Sequence, residues 1–288
     1  MRHLPGLLLL LAACDTNTSS EDVSEGEDTT GKEDDSEVVT TNPYGDGAGC
    51  PLLTEGTNSF DSAGLSREVI IKLPDDPEGA PVVFVWHWLG GTADQILSWM
   101  EMDQLADEGA IVVAPQSTGM GSEWDYVADA EQSIDVILLD DLLVCLWETH
   151  RIDANRVYTT GMSAGGLFTT YLTMFRSDVF AASLPFSGGV NSAYYTTPED
   201  QIPVMLVWGG TSDTYGSFSF HEANLDFSED LRNDGHFVVE CMHSSGHVFP
   251  TGSAEMAWTF FESHARDDES EAWSSELPSS LPSYCVIP

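Results

Sequence analysis

Positive charge is the scarcest feature of this sequence. Its 288 residues include nine Lys and Arg against 48 Asp and Glu, a formal net charge of −39 at pH 7. Residues 50–288 alone hold 37 acidic and seven basic residues, because 11 acidic and two basic residues precede them. A field of this sign repels phosphate backbones, so nucleic acid is excluded as a partner. Such an acidic surface is typical of proteins that are highly soluble or adapted to salt.

A long apolar run is also missing from the N-terminal region. The apolar stretch Leu4–Ala13 is too short for a permanent membrane-spanning helix, and after the charged start it predicts an export signal over residues 1–13. The stretch ends in Leu11-Ala12-Ala13-Cys14, which resembles the lipobox of bacterial lipoproteins, where the cysteine is acylated. A plain secretory signal with an incidental cysteine is the alternative.

Apolar side chains are almost absent from residues 14–49. This segment consists largely of Ser, Thr, Asp, Glu and Gly, with 11 acidic residues and the single basic residue Lys32. It cannot bury enough apolar surface to fold alone. We interpret it as an acidic disordered tether between a lipid anchor and a domain at residues 50–266, followed by a polar tail at 267–288. The membrane is then a partner through the lipid anchor alone. We expect the protein to be exported, and either lipid-anchored to the bacterial cell envelope or extracellular.

Cysteine pairs of the C-x-x-C type are lacking, which argues against zinc, and no metal or organic cofactor is expected. Besides Cys14 there are four cysteines: Cys50, Cys145, Cys241 and Cys285. Their even number in an exported chain predicts two disulfides in an oxidising compartment, with three connectivities open. One of these includes a clamp from Cys50 to Cys285 that would join the ends of the domain.

Apolar runs of strand length alternate with helical patterns from Arg67 onward, which predicts an α/β fold with a mostly parallel sheet flanked by helices. The predicted strands are 68–73, 82–86, 111–114, 157–160, 181–186, 204–207 and 238–242, and the helices 93–106, 132–149, 167–175, 221–231 and 254–264. Ligands of such sheets bind beyond the carboxyl ends of the strands, so we expect functional residues there.

The end of the predicted strand 157–160 carries a G-x-S-x-G pattern centred on Ser163. A strand, a tight glycine turn and a helix in this order form a nucleophile elbow, in which the glycines let strand and helix pass closely. An ordinary turn serine is the alternative, and the bare pattern is weak evidence. Three other predicted strand ends, however, carry residues of matching chemistry.

These strand ends supply the partners that a nucleophilic serine needs. The strand 204–207 leads to Asp213, and the strand 238–242 leads to His247. The chain order Ser163, Asp213, His247 is that of an α/β-hydrolase catalytic triad. The strand 82–86 leads into a glycine loop whose backbone N–H groups, from Trp88 or Leu89, would form an oxyanion hole together with the N–H of Ala164.

Other residues compete for two of these roles. Glu222 and Asp226 are alternatives to Asp213 as the acid. His243 is the alternative to His247, which we favour because it follows Gly246 on a loop rather than ending a strand. His87 lies in the oxyanion segment and is interpreted as a residue that orders this loop.

The aromatic residues flanking His87 have two interpretations. Trp86 and Trp88 could form a wall for a phenolic acyl group. We favour core packing for Trp86.

The chain from about Arg67 to Pro250 resembles the esterase family that contains polyhydroxybutyrate depolymerases and bacterial feruloyl esterases. The segments that carry the resemblance are REVIIKLP, VVFVWHWLGGTA, RIDANRVYTTGMSAGGLFTTYL, DVFAASLPFSGG, PVMLVWGGTSD and SSGHVFP. The resemblance implies hydrolysis of neutral esters through an acyl-enzyme: hydroxyalkanoate polymers, or acetyl or feruloyl groups on polysaccharides. Two departures are Trp88, where the family has a small residue, and Thr214-Tyr215-Gly216, where it has Val-Pro.

Three other functions are consistent with parts of the sequence. A serine peptidase of the same fold would use the same triad. An inactive surface-binding module would keep the fold, although all three triad residue types are present. A mechanical envelope protein would explain the tether and leave the triad without a role.

The signal and the tether generate one testable prediction. Cys14→Ser should release the full chain from the membrane fraction into the soluble fraction, because the acylated cysteine is the predicted anchor. Fractionation of cells that express either form measures this, and equal release of the two forms would contradict the prediction.

Overall fold

The computed structural model describes residues 41–119, 121–126, 129–266, 273 and 276–288. The predicted export signal, Cys14 and the tether as far as residue 40 lie outside these residues. In the described ranges, no helix combines the length and the apolar character needed to cross a membrane.

The described residues form a nine-stranded sheet, a small hairpin and five α-helices. The strands are β1 (Gly56–Ser62), β2 (Leu65–Lys72), β3 (Val82–Trp86), β4 (Ile111–Pro115), β5 (Val157–Met162), β6 (Ala182–Phe186), β7 (Val204–Trp208), β8 (Thr214–Tyr215), β9 (Phe218–Ser219), β10 (Val238–Met242) and β11 (Cys285–Val286). The helices are α1 (Ala93–Trp99), α2 (Ile134–His150), α3 (Ala164–Phe175), α4 (Phe220–Asn233) and α5 (Ser253–Phe261).

The large sheet has the order β1-β2-β4-β3-β5-β6-β7-β10-β11, and β8 pairs with β9 as the hairpin. The six strands from β4 to β10 in this order run parallel. The strands β1, β2 and β11 pair antiparallel at the two edges. The carboxyl ends of the parallel strands therefore meet at one edge, as expected for a ligand site.

Two cores cover the two faces of the sheet. In β3, Val82, Phe84 and Trp86 face a core with α2, α3 and α4, whereas Val83 and Val85 face a core with α1 and α5. Successive side chains of a strand point to opposite faces, so a strand buried on both sides is a continuous apolar run. The predicted α/β class, with a mostly parallel sheet flanked by helices, is confirmed.

The predicted helix 93–106 is interrupted. The helix α1 ends at Trp99, Glu101 has a left-handed backbone (φ 59°), and a 3₁₀ turn spans Met102–Ala106. The apolar residues Met102 and Leu105 are buried on the far side of the break. Their spacing imitates a continuous amphipathic helix, which explains why the sequence did not reveal the break.

The edges of the sheet were not predicted. The strand β1 is mostly polar and buries only Phe60 and Ser62, so its local pattern is weak and pairing with β2 defines it. Residues 41–49, assigned to the tether from the sequence, include Asn42, whose side-chain amide donates to the Val144 carbonyl of α2 at 3.1 Å. The end of the predicted tail supplies β11.

Two disulfides are present, as predicted: Cys50–Cys145 and Cys241–Cys285. The suggested clamp from Cys50 to Cys285 does not form. Cys50 is disulfide-bonded to Cys145 of α2. Cys285, in contrast, lies directly opposite Cys241 in the β10–β11 pair at the far edge of the sheet. Sheet topology separates the two ends, and sequence spacing alone does not report topology.

The two disulfides differ in the length of chain that they close, which generates a prediction. Replacing Cys50 and Cys145 with Ser should lower the free energy of unfolding by about 2–4 kcal/mol, because the cross-link restricts the unfolded chain. The loss should exceed that of the Cys241/Cys285 double replacement, since the sequence separations are 95 and 44. Denaturant unfolding of both variants measures this, and unfolding midpoints equal to wild type would contradict it.

Candidate active site

Ser163 occupies a strained turn between β5 and α3. Its backbone has φ 58° and ψ −115°, a combination that non-glycine residues seldom adopt. A Cβ on Gly165 would lie 1.8 Å from the Trp86 carbonyl oxygen, and one on Gly161 would lie 2.6 Å from the same atom. The glycines are therefore required by the close passage of α3 over β3 and β5, and the turn holds the Ser163 side chain above the sheet.

His247 bridges Ser163 and Asp213. Its Nε2 lies 2.9 Å from Ser163 Oγ, and its Nδ1 lies 2.7 Å from Asp213 Oδ1. The ring of Phe220 stacks against the imidazole at 4.5 Å between centroids, which fixes the plane of the ring. The structure thus brings the three residues of the predicted triad into one hydrogen-bonded chain.

Asp213 is fully buried and accepts three hydrogen bonds. Its Oδ2 accepts from the Gly209 amide and from the Ser187 hydroxyl, each at 2.8 Å. Burial raises the pKa of the Asp213 carboxyl, but the hydrogen bonds from His247, Gly209 and Ser187 outweigh it and hold the pKa below its ordinary value. An ionised Asp213 carboxylate can only accept hydrogen bonds, so the neutral His247 ring carries its proton on Nδ1 and donates it toward Asp213. The Nε2 lone pair is then free to accept a hydrogen bond from the Ser163 hydroxyl.

The competing residues lie elsewhere. His243 is buried at the end of β10, where its Nδ1 accepts from the Ser245 amide at 3.2 Å, and burial lowers its pKa. Glu222 is exposed in the first turn of α4. Asp226 accepts from the Asn191 side chain at 3.2 Å. None of the three contacts Ser163 or His247 through a hydrogen bond in the described part of the chain.

His87 orders the loop that follows β3. It is fully buried, its Nδ1 donates to the Trp88 carbonyl at 2.9 Å, and its Nε2 accepts from the Ser117 amide at 3.1 Å. Burial lowers the pKa of His87, in keeping with this neutral tautomer. The loop so held carries Trp88 and Leu89, which line the same cavity as Ala164. Ala164 is the first residue of α3, where amides have no intrahelical acceptor.

Two supporting residues were missed from the sequence. Ser187 directly follows β6 at the functional edge of the sheet, so its position offered a signal. Glu123 offered none, because it lies in a loop remote from any predicted strand. It is buried, has φ 86°, accepts from the Gly90 amide at 2.9 Å and contacts the Ser117 hydroxyl. It thereby ties the loop after β3 to the segment after β4.

A cavity of about 660 Å³ opens at the triad. Trp88 forms an aromatic wall with its neighbours, at 5.4 Å from Trp99 and 6.1 Å from Phe249 between ring centroids. Tyr215 and Phe218 of the β8–β9 hairpin also line the cavity. Among the described lining residues His247 is the only titratable base and no carboxylate takes part, so the cavity suits an uncharged, apolar ligand.

Trp86 has a different environment from Trp88. It is fully buried against Phe168 and Trp124, and its indole N–H donates to Thr159 Oγ1 at 2.9 Å. The favoured interpretation of Trp86 as a core residue agrees with this position. Within the residues that the structure describes, no cluster of three His, Cys, Asp or Glu side chains is placed to hold a metal ion.

The chain is similar in sequence to a peptidase family and to several esterases. A model of the prolyl oligopeptidase family matches residues 97–222, a span that includes Ser163 and Asp213. The chain is 29% identical over 166 residues to a probable feruloyl esterase C of Aspergillus terreus, covering 54% of this chain and 58% of the relative. It is 30% identical over 221 residues to feruloyl esterase B of Talaromyces stipitatus, covering 62% and 59%. The matched region thus spans about three fifths of the length of these two curated relatives.

Solved structures decide the fold. The crystal structure of native sOPH superimposes with a TM-score of 0.67 at 20% identity, covering 82% of this chain and 95% of that one. An acylaminoacyl peptidase of Pyrococcus horikoshii gives 0.53 at 16% identity, covering 78% and 44%. The chain has the α/β-hydrolase fold. The predicted resemblance to esterases of this fold is confirmed by the feruloyl esterase relatives.

The buried carboxylate of Asp213 generates a prediction. Asp213→Asn should lower kcat by about 10³- to 10⁴-fold, because an amide neither fixes the Nδ1–H tautomer nor stabilises the imidazolium. The loss should persist at every pH at which wild type is active, since the lowered pKa keeps Asp213 ionised there. Asp226→Asn is the matched control and should retain wild-type kcat, and a similar loss in both variants would contradict the assignment.

Proposed function

We propose that this α/β-hydrolase is a serine esterase that cleaves neutral carboxylic esters through an acyl-enzyme. The observation that carries the proposal is the continuous hydrogen-bonded chain from Ser163 through His247 to the buried Asp213. It provides a nucleophile, a base with the correct free nitrogen and an ionised acid behind the base.

The proposed reaction has two steps. Ser163 Oγ attacks the ester carbonyl while its proton moves to His247 Nε2, and the tetrahedral intermediate expels the alcohol, which receives that proton. Water then attacks the acyl-enzyme with His247 again as base, and the carboxylic acid leaves. Backbone N–H groups of Ala164 and of Trp88 or Leu89 hold the developing oxyanion, each contributing about 3 kcal/mol.

The wall of the cavity supports an aromatic or otherwise apolar acyl group. Trp88, Trp99 and Phe249 present ring surfaces beside Ser163, and aromatic rings favour offset or edge contacts with other rings. The curated relatives bear the name feruloyl esterase, which favours a feruloyl or similar group on a polysaccharide. Acetyl groups and hydroxyalkanoate polymers are the other members of the proposed neutral substrate class.

A peptidase is the second candidate. The family model and the acylaminoacyl peptidase structure belong to peptidases of this fold, and a triad of this geometry serves amides as well as esters. The relatives named feruloyl esterase favour the ester reaction.

We further propose that the hydrolase acts outside the cytoplasm. The two disulfides support an oxidising compartment, where such bonds persist. The lipobox-like segment supports an anchor at Cys14, with the acidic residues from there to residue 40 as the tether.

Replacement of the nucleophile and of the base tests the proposed reaction. Ser163→Ala and His247→Ala should each lower kcat by about 10³-fold or more, because the two groups act as a unit. His243→Ala is the matched control and should alter kcat little, since His243 lies outside the triad. The assay is hydrolysis of p-nitrophenyl butyrate and methyl ferulate, with a matched peptide amide in parallel.

Full activity in Ser163→Ala would end the serine hydrolase proposal. Faster turnover of the amide than of the matched ester would favour the peptidase instead.

A further inference from the structure

A second cavity of about 710 Å³ lies beside the catalytic cavity. Leu167 lines both, so the two cavities adjoin at this side chain. The second cavity is formed by α3, by Tyr126 and by the segment between β6 and β7. The proposed reaction gives it no role.

The helix α3 connects the nucleophile with this cavity. Ser163, Leu167, Tyr171 and Phe175 are spaced by four residues, so they follow one stripe of the helix. Leu167, Tyr171 and Phe175 line the second cavity. At a rise of about 1.5 Å per residue, Tyr171 lies about 12 Å and Phe175 about 18 Å along the helix from Ser163. A substrate held at Ser163 can therefore reach the cavity only if it is extended.

The lining of the second cavity differs from that of the first. Its aromatic residues are three tyrosines and one phenylalanine, whereas the first cavity has tryptophan and phenylalanine beside a single tyrosine. Thr170 and Thr196 add further hydroxyl-bearing side chains. No acidic or basic side chain is among its described lining residues. The hydroxyls of Tyr126 and Thr170 are bonded within the protein, the first to the Ala164 carbonyl and the second to the Gly166 carbonyl and the Gly189 amide. The aromatic ring faces, with the hydroxyl of the exposed Tyr194 at the rim, fit an uncharged ligand with apolar faces and polar edges, which is the chemistry of a neutral sugar ring.

Tyr194 is the accessible member of this lining. Its side chain is 76% exposed at the end of a 3₁₀ turn, so it contributes little to the core and stands free to receive a ligand. By contrast, Tyr171 is buried and packs against Phe175 at 4.6 Å between ring centroids. The cavity thus has a packed floor and one exposed aromatic side chain at its rim.

The geometry points to a second subsite, along α3 from Leu167 to Phe175, that binds an uncharged sugar unit of the alcohol portion of a polysaccharide ester. The inference rests on the proposed esterase function and extends it to the part of the substrate remote from the scissile bond. The aromatic wall of the first cavity then receives the acyl group, and the tyrosine-lined cavity receives the saccharide.

Tyr194→Ala in the full chain tests the subsite. KM for a feruloylated oligosaccharide should rise by about fivefold, because a ring face that packs on the sugar is removed, while KM for methyl ferulate stays unchanged. The variant Tyr194→Phe keeps the ring and should restore most of the wild-type KM. Leu52→Ala is the matched control, because Leu52 is similarly exposed (74%) and lines neither cavity.

A series of p-nitrophenyl esters with acyl chains up to decanoate distinguishes the two portions of the substrate. A KM increase in Tyr194→Ala that is confined to the long acyl chains would overturn the sugar assignment. Unchanged KM for both the oligosaccharide ester and the long acyl esters would overturn the subsite itself.

A binding measurement separates this inference from the proposed function. The unesterified oligosaccharide should bind Ser163→Ala, and the additional change Tyr194→Ala should weaken that binding by about fivefold in calorimetry. This readout requires no turnover, so absence of esterase activity would leave it intact. Equal dissociation constants with and without Tyr194 would contradict the subsite even in an active esterase.

Discussion

The close approach of α3 to the strands β3 and β5 is the constraint on which the site depends. The Gly165 backbone lies so near the Trp86 carbonyl that even a methyl group is excluded. This contact forces the sharp turn at Ser163, aims the first amides of α3 at the space above the sheet and fixes the direction of the helix. Gly166 extends this close approach to β6, because its Cβ would lie 2.3 Å from the Phe186 carbonyl. The positions of the proposed nucleophile Ser163, of one predicted oxyanion donor and of the α3 residues that lead to the second cavity thus depend on one steric condition.

The sequence revealed those parts of the fold in which local pattern and tertiary position coincide. The strands β3, β4 and β7 are apolar runs buried on both faces. Among the predicted triad residues, Ser163 directly follows β5, and Asp213 and His247 lie in the loops after β7 and β10. Elements defined by pairing rather than by their own composition were missed, such as β1 and the two-residue strands β8, β9 and β11. The disulfide partners depend on which strands lie at which edge of the sheet, which spacing along the chain does not encode.

The residues that support the site also divide into those that the sequence could reveal and those that it could not. Ser187 could have been inferred from its place after β6, whereas Glu123 acts through a long-range contact with the Gly90 amide and has no sequence signature. The departure from Val-Pro after Asp213 is also explained, because Thr214 and Tyr215 begin the β8–β9 hairpin. That hairpin places Tyr215 and Phe218 at the cavity, so the unexpected residues shape the cleft and leave Asp213 in contact with His247.

The contrast between an acidic domain and an uncharged cavity bears on product release. A neutral ester feels little of the domain's field as it enters, but hydrolysis converts its acyl part into a carboxylate, which carries the sign of charge that dominates residues 50–288. The negative field therefore repels the departing carboxylate but has little effect on the neutral ester that enters. Near the surface, within a screening length of about 8 Å at physiological ionic strength, this repulsion favours departure of the acid over its return. In the proposed reaction the surface charge therefore disfavours rebinding of the acid product while leaving binding of the neutral ester nearly unaffected.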